Sequence, residues 1–501
     1  MEITIRTPTK AFLTAYTEEE FQKLTKQLSY TNTAAAHQVK RHYNNQWARR
    51  KNPDAWAKTL DELKSQVHNC LIWEENGERF IRPGSICYLE KLDLKVTNTI
   101  KYPTPKKVAW AKPLPFVLYP YQEISWVELI SNFHSNVELC TGSGKSAIIL
   151  KYCRETGYKT VIVAPGKSVF YELIEKFEYH FGRGMVGKFG DQKRDLGKRF
   201  TIAIGDSLAN LKPGTAEWEF FSTMEAMCID EAHTWGAETL DEVCHGVLGN
   251  VPCRTYYSAT MTRGDGAEKL LKSIVARTVC VLTTKEAKEK GYICDHDYRI
   301  VEVESSDPNY ATADPLDMKR VHHLNNRNIR NFVARLANAD AKVNKRQTLV
   351  LVDELSQIAA LIPLLTVPYV VAHSEKKKER LATLGLEKVD YAESVEKFNK
   401  GEAMVLIGTT CISTGTNIFP VHNCFNWQGG CSEIRTKQGS IGRAVRIGSH
   451  NPWADRCAVK TKSTIWDFRV VDVYIMDRQT DDRIEFYRES GSEIRTIKLK
   501  R

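Results

Sequence analysis

A chain of 501 residues is too long for one hydrophobic core and predicts about two to four domains. Hydrophobic residues at 42% and charged residues at 26% give a globular profile, and no apolar run nears a membrane span, so no membrane partner is expected. The 13 cysteines include no C-x-x-C pair, which argues against a zinc module and for reduced thiols in a cytoplasmic compartment, while a net charge of +10 suits a polyanionic partner.

The N-terminal stretch interleaves basic and aromatic residues: His42, Tyr43, Trp47, Arg49, Arg50, Lys51 and Trp56. Such a mixture suits a surface that neutralises phosphates and stacks on bases, with Arg49 and Arg50 as candidate contacts; equally, Trp47 and Trp56 could be core. Trp56, Leu60, Leu63 and Val67 predict a helix from Asp54 to Val67. Two short strands around Asn76-Gly77 predict a hairpin. Lys101 to Pro115 carries four prolines and four lysines and reads as an extended linker.

After the linker, Gln122 is a candidate adenine reader, because its amide offers both an acceptor and donors. Val137 to Leu150 then reads as a strand, a tight turn and a helix start. In the turn, Thr141-Gly142-Ser143-Gly144-Lys145-Ser146 would point backbone N–H groups at a phosphate. Lys145 would reach the β- and γ-phosphates of ATP, and the Ser146 hydroxyl would ligate Mg²⁺. Leu139 stands where the strict phosphate-loop pattern has glycine, so the tripeptide alone would be no more than a glycine turn.

Continuous apolar strands follow at Thr160–Pro165, Phe200–Gly205 and Met227–Ile229, separated by helical segments. This alternation predicts a doubly wound parallel sheet with ligand loops at the carboxyl ends of its strands. The third strand runs into Asp230-Glu231-Ala232-His233. Asp230 is placed to hold Mg²⁺, Glu231 to orient the attacking water, and His233 to connect the nucleotide to its neighbours. Ser258 and Thr260, ending the next strand, could hydrogen-bond that acidic turn.

A second alternating series starts near Ile300, with strands at 348–352, 368–371 and 403–409 and no phosphate loop. Arg320, His322, His323, Arg327 and Arg330 read as helix surface or nucleic-acid contact. Further on, Gln438-Gly439-Ser440-Ile441-Gly442-Arg443-Ala444-Val445-Arg446 reads as a helix with Arg443 and Arg446 on one face. Two guanidinium forks are suited to a γ-phosphate.

Taken in order, Gln122, TGSGKS, DEAH, SAT, Ser413-Thr414-Gly415-Thr416-Asn417 and QGSIGRAVR resemble the motifs of superfamily 2 helicases of the DEAH/DExH type. A finer resemblance, carried by Ile465-Trp466-Asp467-Phe468 and by the small N-terminal domain, is to the UvsW-type branch-migration helicases of tailed phages. The resemblance implies an α/β fold with two tandem RecA-like lobes, Mg²⁺-ATP in their cleft and nucleic acid across both. It implies domains at 1–112 (accessory, α+β), 113–290 (first lobe), 291–480 (second lobe) and 481–501 (tail). Arg443 and Arg446 become arginine fingers beside Gln438, and Gly415 lies in the loop that couples both ligands. Pro165, Gly166, Lys167, Thr409 and Thr410 become contacts to nucleic-acid phosphates. Thr416-Asn417 stands where the family has an Asp, so that position is left out of the catalytic set.

The expected activity is ATP-driven remodelling of forked or branched DNA in a phage-infected host cytoplasm. The motifs do not separate DNA from RNA, so a DEAH-type RNA helicase or an ATP-gated clamp stays open.

Overall fold

The computed structural model describes the chain apart from residues 111, 115, 236, 262–267, 313, 413–416, 431–441 and 500–501, and apart from the side chains of 34, 48, 237, 238 and 410. The chain divides into two compact units, Met1–Leu139 with Lys145–Val281, and Cys140–Gly144 with Leu282–Arg501. Both carry the parallel sheet of a RecA-like lobe, and the first also carries a separate N-terminal sheet.

The N-terminal sheet has the strand order Trp73–Glu75, Glu78–Ile81, Lys10–Ala15, Glu2–Thr7, Lys95–Asn98. The first two strands form the hairpin expected at Asn76-Gly77, whose residues take the left-handed φ values of 51° and 80° that a tight turn needs. A helix, Glu18–Leu28, opens on a capping box in which Thr17 and Glu20 exchange hydrogen bonds, and it buries Leu24 and Leu28 against the sheet. A two-stranded ribbon, Ser29–Thr31 with His68–Cys70, brackets three helices, Thr33–Asn44, Gln46–Lys51 and Pro53–Ser65. The last of these starts and ends slightly before the predicted helix and buries only Leu60.

This sheet is docked on the helix Glu268–Val275. The Lys269 ammonium donates to the carbonyls of Gln27 (2.8 Å) and Ser29 (2.7 Å). Gly84 lies so near that helix that a Cβ there would sit 2.3 Å from the Ser273 oxygen, so only glycine fits. The buried Arg82 pairs with Asp241 at 2.5 Å. The proline-rich segment that follows has no helix or strand, as expected, yet it is strapped down. Lys106 N donates to Thr156 O (2.8 Å), Tyr158 Oη to Pro103 O (2.7 Å) and Trp110 Nε1 to Arg154 O (3.1 Å).

The first lobe's sheet runs Lys193–Asp195, Val186–Gly190, Phe200–Ile204, Thr160–Ala164, Ala226–Ile229, Cys253–Ser258, His134–Leu139, Arg277–Leu282. The hydrogen-bonded neighbours from Val186–Gly190 to His134–Leu139 are parallel, and Lys193–Asp195 is an antiparallel edge. Every residue of Thr160–Ala164 and Phe200–Ile204 is buried, which is why these strands read as unbroken apolar runs.

The second lobe's sheet runs Tyr369–Ala372, Val405–Gly408, Thr348–Leu351, Asn423–Asn426, Lys462–Val470, Asp295–Val303, Ile494–Lys498, with parallel pairing throughout. Val350, Ile407, Phe425 and Phe468 form its core with Ile329 and Val333 of the helix Arg327–Asn344. Of residues 481–501, expected as a tail, the described part, 481–499, belongs to this lobe. It completes the helix Tyr474–Glu489 and supplies the edge strand Ile494–Lys498. The helix is anchored from inside: Arg483 holds Asp467 through two bonds of 2.6 and 2.9 Å, and Tyr487 donates to the same carboxylate at 2.6 Å.

Candidate active site

The strand His134–Leu139 leads into the glycine turn, and the helix Lys145–Thr156 leaves it. Gly142 and Gly144 have φ values of 87° and 79°, the left-handed region that a side chain disfavours. Thr141 is half-buried and Ser143 buried, with Ser143 N donating to Cys140 O at 3.3 Å. Lys145, 8% exposed, places its ammonium 3.3 Å from Glu231 Oε1 and 3.4 Å from Leu139 O. Ser146 follows it in the first helical turn, partly exposed.

Asp230 and Glu231 stand at the carboxyl end of Ala226–Ile229, two strands from the phosphate-loop strand with Cys253–Ser258 between. Glu231 has φ 49° and ψ 48°, a strained backbone for a residue with a Cβ, and such strain collects at functional turns. Burial, then the neighbouring Glu231 charge, push the Asp230 carboxyl up to about 7, and Lys145 opposes them. One lysine thus faces two crowded carboxylates, a surplus of negative charge that a divalent cation would offset. Among the described residues no three His, Cys, Asp or Glu side chains cluster to hold a metal by themselves. A carboxylate and a hydroxyl beside a phosphate site suit Mg²⁺, which keeps waters and uses few protein ligands. Asp230 and Ser146 are the residues that would hold it.

His233 extends this turn towards the next strand. Its Nδ1 is hydrogen-bonded to Ser258 Oγ and lies 3.7 Å from Glu231 Oε2. Ser258 gives its one hydrogen to Thr260 O at 2.6 Å, so His233 must be the donor, with its proton on Nδ1. Ser258 thus links His233 of the acidic turn to the backbone of Thr260, with the Glu231 carboxylate close by and Thr260 taking part through its carbonyl. Sequence reading missed Trp235, whose Nε1 donates to Asp230 O at 3.3 Å and whose ring covers Gly205. A Cβ on Gly205 would lie 1.4 Å from that ring. The only signal in the sequence was a glycine closing an otherwise apolar strand.

Gln122 is buried in the helix Pro120–Ser131, and its Oε1 accepts from Tyr119 N at 2.9 Å, closing the helix start. A cavity of about 250 Å³ lies beside this helix, lined by Leu114, Phe116, Leu118, Glu123, Lys151 and Arg154 among others. Of the expected phosphate contacts, Pro165 ends the strand Thr160–Ala164 and Gly166 caps the helix Lys167–Phe181. The exposed Lys167 ammonium pairs with Asp191. Thr409 ends Val405–Gly408, with its N–H donating to Ala372 O at 3.1 Å, and Thr410 begins the short turn Thr410–Ile412.

In the second lobe Gln438 and Gly415 lie outside the described residues. The arginines do not share a helical face. The described helix is only Gly442–Ala444, and Arg446 lies beyond it. It stops because its carbonyls are bonded elsewhere: Val445 O accepts from Cys294 N at 2.7 Å, and the Lys460 ammonium takes Ala444 O and Arg446 O. Arg443, 2% exposed, donates from Nε to Ile412 O at 3.0 Å, and the Arg446 guanidinium lies 5.9 Å from the Phe419 ring centre.

His322 and His323, expected on a surface, are both buried. His322 bridges Ser305 Oγ (2.7 Å) and Tyr310 O (3.1 Å), and the His323 ring packs on Gly429. Two adjacent polar rings gave no sign that one would be bonded by loop atoms and the other buried against a glycine. The N-terminal basic and aromatic residues turn outwards instead. Trp47 is 69% exposed and Trp56 partly so; the Arg49 guanidinium sits 5.0 Å over the Trp56 ring and the Lys51 ammonium 4.8 Å over that of Trp47. Arg50 is exposed beside them.

A glycine turn and an acidic strand-end turn thus lie together on a parallel sheet of RecA-like form. Residues 119–268 match the model of the DEAD/DEAH box helicase family. No curated protein matches the chain in sequence. Among solved structures it is similar to a putative HsdR subunit fragment of a type I restriction enzyme from Vibrio vulnificus YJ016 (15% identity, 77% of this chain and 70% of that one, TM-score 0.53). It is similar to Mss116p bound to ssRNA and AMP-PNP (15% identity, 77% and 75%, TM-score 0.53). It is also similar to T4 UvsW (14% identity, 100% and 99%, TM-score 0.42). At these identities the likeness is one of fold. No helix among the described residues is long and apolar enough to cross a membrane.

Proposed function

We propose that this protein is an ATP-dependent superfamily 2 DNA helicase or translocase that remodels branched DNA, such as forks and Holliday junctions, during phage replication and recombination in a host cytoplasm. The observation that carries the nucleotide part is the 3.3 Å approach of Lys145 to Glu231, which brings the glycine turn and the acidic strand-end turn together. In this reading Lys145 and the 141–146 backbone hold the ATP phosphates, and Gln122 contributes to adenine recognition. Mg²⁺, held by Asp230 and Ser146, supplies charge neutralisation at the phosphates. Glu231 orients the attacking water. When a phosphate takes Lys145, the Glu231 carboxylate is freed for that task, and His233 passes the change to Ser258 and Thr260. Arg443 and Arg446, with Gln438, act on the γ-phosphate, and Gly415 couples the nucleotide to the nucleic acid.

Pro165, Gly166, Lys167, Thr409 and Thr410 are assigned to the phosphate backbone. Residues 1–112 are assigned as an accessory domain, followed by lobes at 113–290 and at 291 onwards. The choice of branched DNA rests on the accessory domain, where Trp47, Tyr43, Arg49 and Arg50 present exposed rings and cations together. Stacking residues beside charges suit unpaired bases next to a duplex.

The deciding measurement is ATP turnover at fixed salt with single-stranded DNA, single-stranded RNA, duplex DNA and a four-way junction. The strongest stimulation is expected from junction or fork DNA. Stimulation by RNA alone would replace the DNA reading with an RNA helicase, and ATP-dependent junction binding without turnover would replace it with a clamp.

A further inference from the structure

The segment 442–446 bears both arginines, and side chains of a neighbouring segment bond its backbone carbonyls. Lys460 is 9% exposed, and its ammonium has three acceptors for its three hydrogens: Ala444 O at 2.7 Å, Arg446 O at 2.6 Å and Phe419 O at 3.1 Å. Two of these carbonyls flank Val445 and the third belongs to the stretch before Asn423–Asn426, so one cation ties two separate segments together. Ser463 Oγ lies 2.7 Å from Ala444 O and 2.8 Å from Val421 O, repeating the bridge three residues later in the strand Lys462–Val470. Gly448 lets the two backbones close up, since a Cβ there would fall 2.8 Å from Lys460 Cβ. A buried ammonium carries a desolvation penalty, and it persists where its hydrogen bonds fix a geometry that apolar packing would not.

We propose that Lys460 is a positioning residue for ATP hydrolysis, a latch that fixes the backbone of residues 444–446 and thereby aims Arg443 and Arg446. The inference rests on the proposed ATPase reading. Because arginines of this kind act on the charge of the transition state, a loosened latch lowers kcat and leaves ATP binding largely intact.

Protonation supplies a second handle. Burial pushes the Lys460 ammonium down to about 8. The groups facing it are Cys294, Arg446, Cys424 and His422. Burial pushes both thiols up, Cys424 to about 12, so they remain neutral while Lys460 titrates. Above that point the neutral amine has two hydrogens for three carbonyls, and the latch slackens.

The test is steady-state ATP hydrolysis by the full chain and by Lys460→Met, which keeps the stem length and removes the donors. The variant is expected to lose about tenfold or more in kcat, with KM for ATP within about threefold. A folded variant with wild-type kcat, or with KM rising in step as kcat falls, overturns the inference. Where the variant does not fold, wild-type kcat against pH decides: a fall through about pH 8 supports the latch, and a flat profile to pH 9.5 overturns it. Absence of turnover in the wild-type chain overturns the ATPase reading together with the latch, whereas wild-type turnover matched by Lys460→Met removes the latch alone.

Discussion

Each lobe holds an ion pair, and the two differ in how far they are enclosed. In the second lobe Arg483 and Asp467 are almost wholly enclosed and share two bonds, while Tyr487 donates to the same carboxylate and the carbonyls of Gly430 and Phe468 accept from the guanidinium. In the first lobe Lys145 stands 3.3 Å from Glu231, which is 18% exposed, and Asp230 beside it is pushed up to about 7. The enclosed pair fixes a helix to its sheet. The other lies at a strand end, where its carboxylate can be reached from outside.

That contrast can be broken at either end. Lys145→Ala or Glu231→Gln is expected to lower ATP turnover by about a hundredfold or more while leaving the unfolding midpoint close to wild type. A variant that unfolds but retains its specific activity would place the pair with the structural ones. Arg483→Met should do the reverse, costing about 3–5 kcal/mol in urea unfolding by stranding the Asp467 charge. An unchanged midpoint would mean that Asp467 finds another partner. Between the extremes, Gly205→Ala drives a methyl into Trp235 and should cost about 1–3 kcal/mol of stability. Because Trp235 holds the Asp230 carbonyl, turnover should fall with it, and stability lost without turnover would uncouple that ring from the site.

The accessory surface sharpens the comparison from outside the lobes. Replacing Trp47, Arg49 and Arg50 with alanine should weaken fork binding by about 1–3 kcal/mol for the stacked ring, flatten the salt dependence and spare basal turnover. The smallest effect concerns Lys460, whose folded value of about 8 lies below its ordinary 10.5. Between those values the unfolded chain holds the extra proton, so this group makes stability rise with pH while the latch makes turnover fall. Opposite slopes in unfolding and in kcat over that interval separate a positioning role from a merely structural one.

The elements legible in the sequence were those whose signal is local. Unbroken apolar strands, the Asn76-Gly77 hairpin, the glycine turn at 141–146 and the acidic turn at 230–233 all carry their reason within a few residues. What escaped was satisfied at a distance. His322 is bonded to Ser305 and to the Tyr310 carbonyl, burial lowers His323 to about 3, the Lys460 ammonium is held by carbonyls of two other segments, and Ile494–Lys498 pairs with the strand Asp295–Val303. The helix expected through Arg446 failed for the same reason, since bonding from Lys460 and Cys294 competes with the next helical turn. Trp47, open in the sequence between surface and core, is 69% exposed, a choice that composition alone could not make.

The strand order of the first lobe also bears on how the protein is made. His134–Leu139, which carries the phosphate loop, lies between Cys253–Ser258 and Arg277–Leu282. Neither neighbour exists when that strand leaves the ribosome. The nascent loop must wait, unpaired, until well over a hundred further residues have followed, on the order of ten seconds at typical elongation rates. The glycine turn therefore gains a strand paired on both sides only once synthesis has passed residue 282.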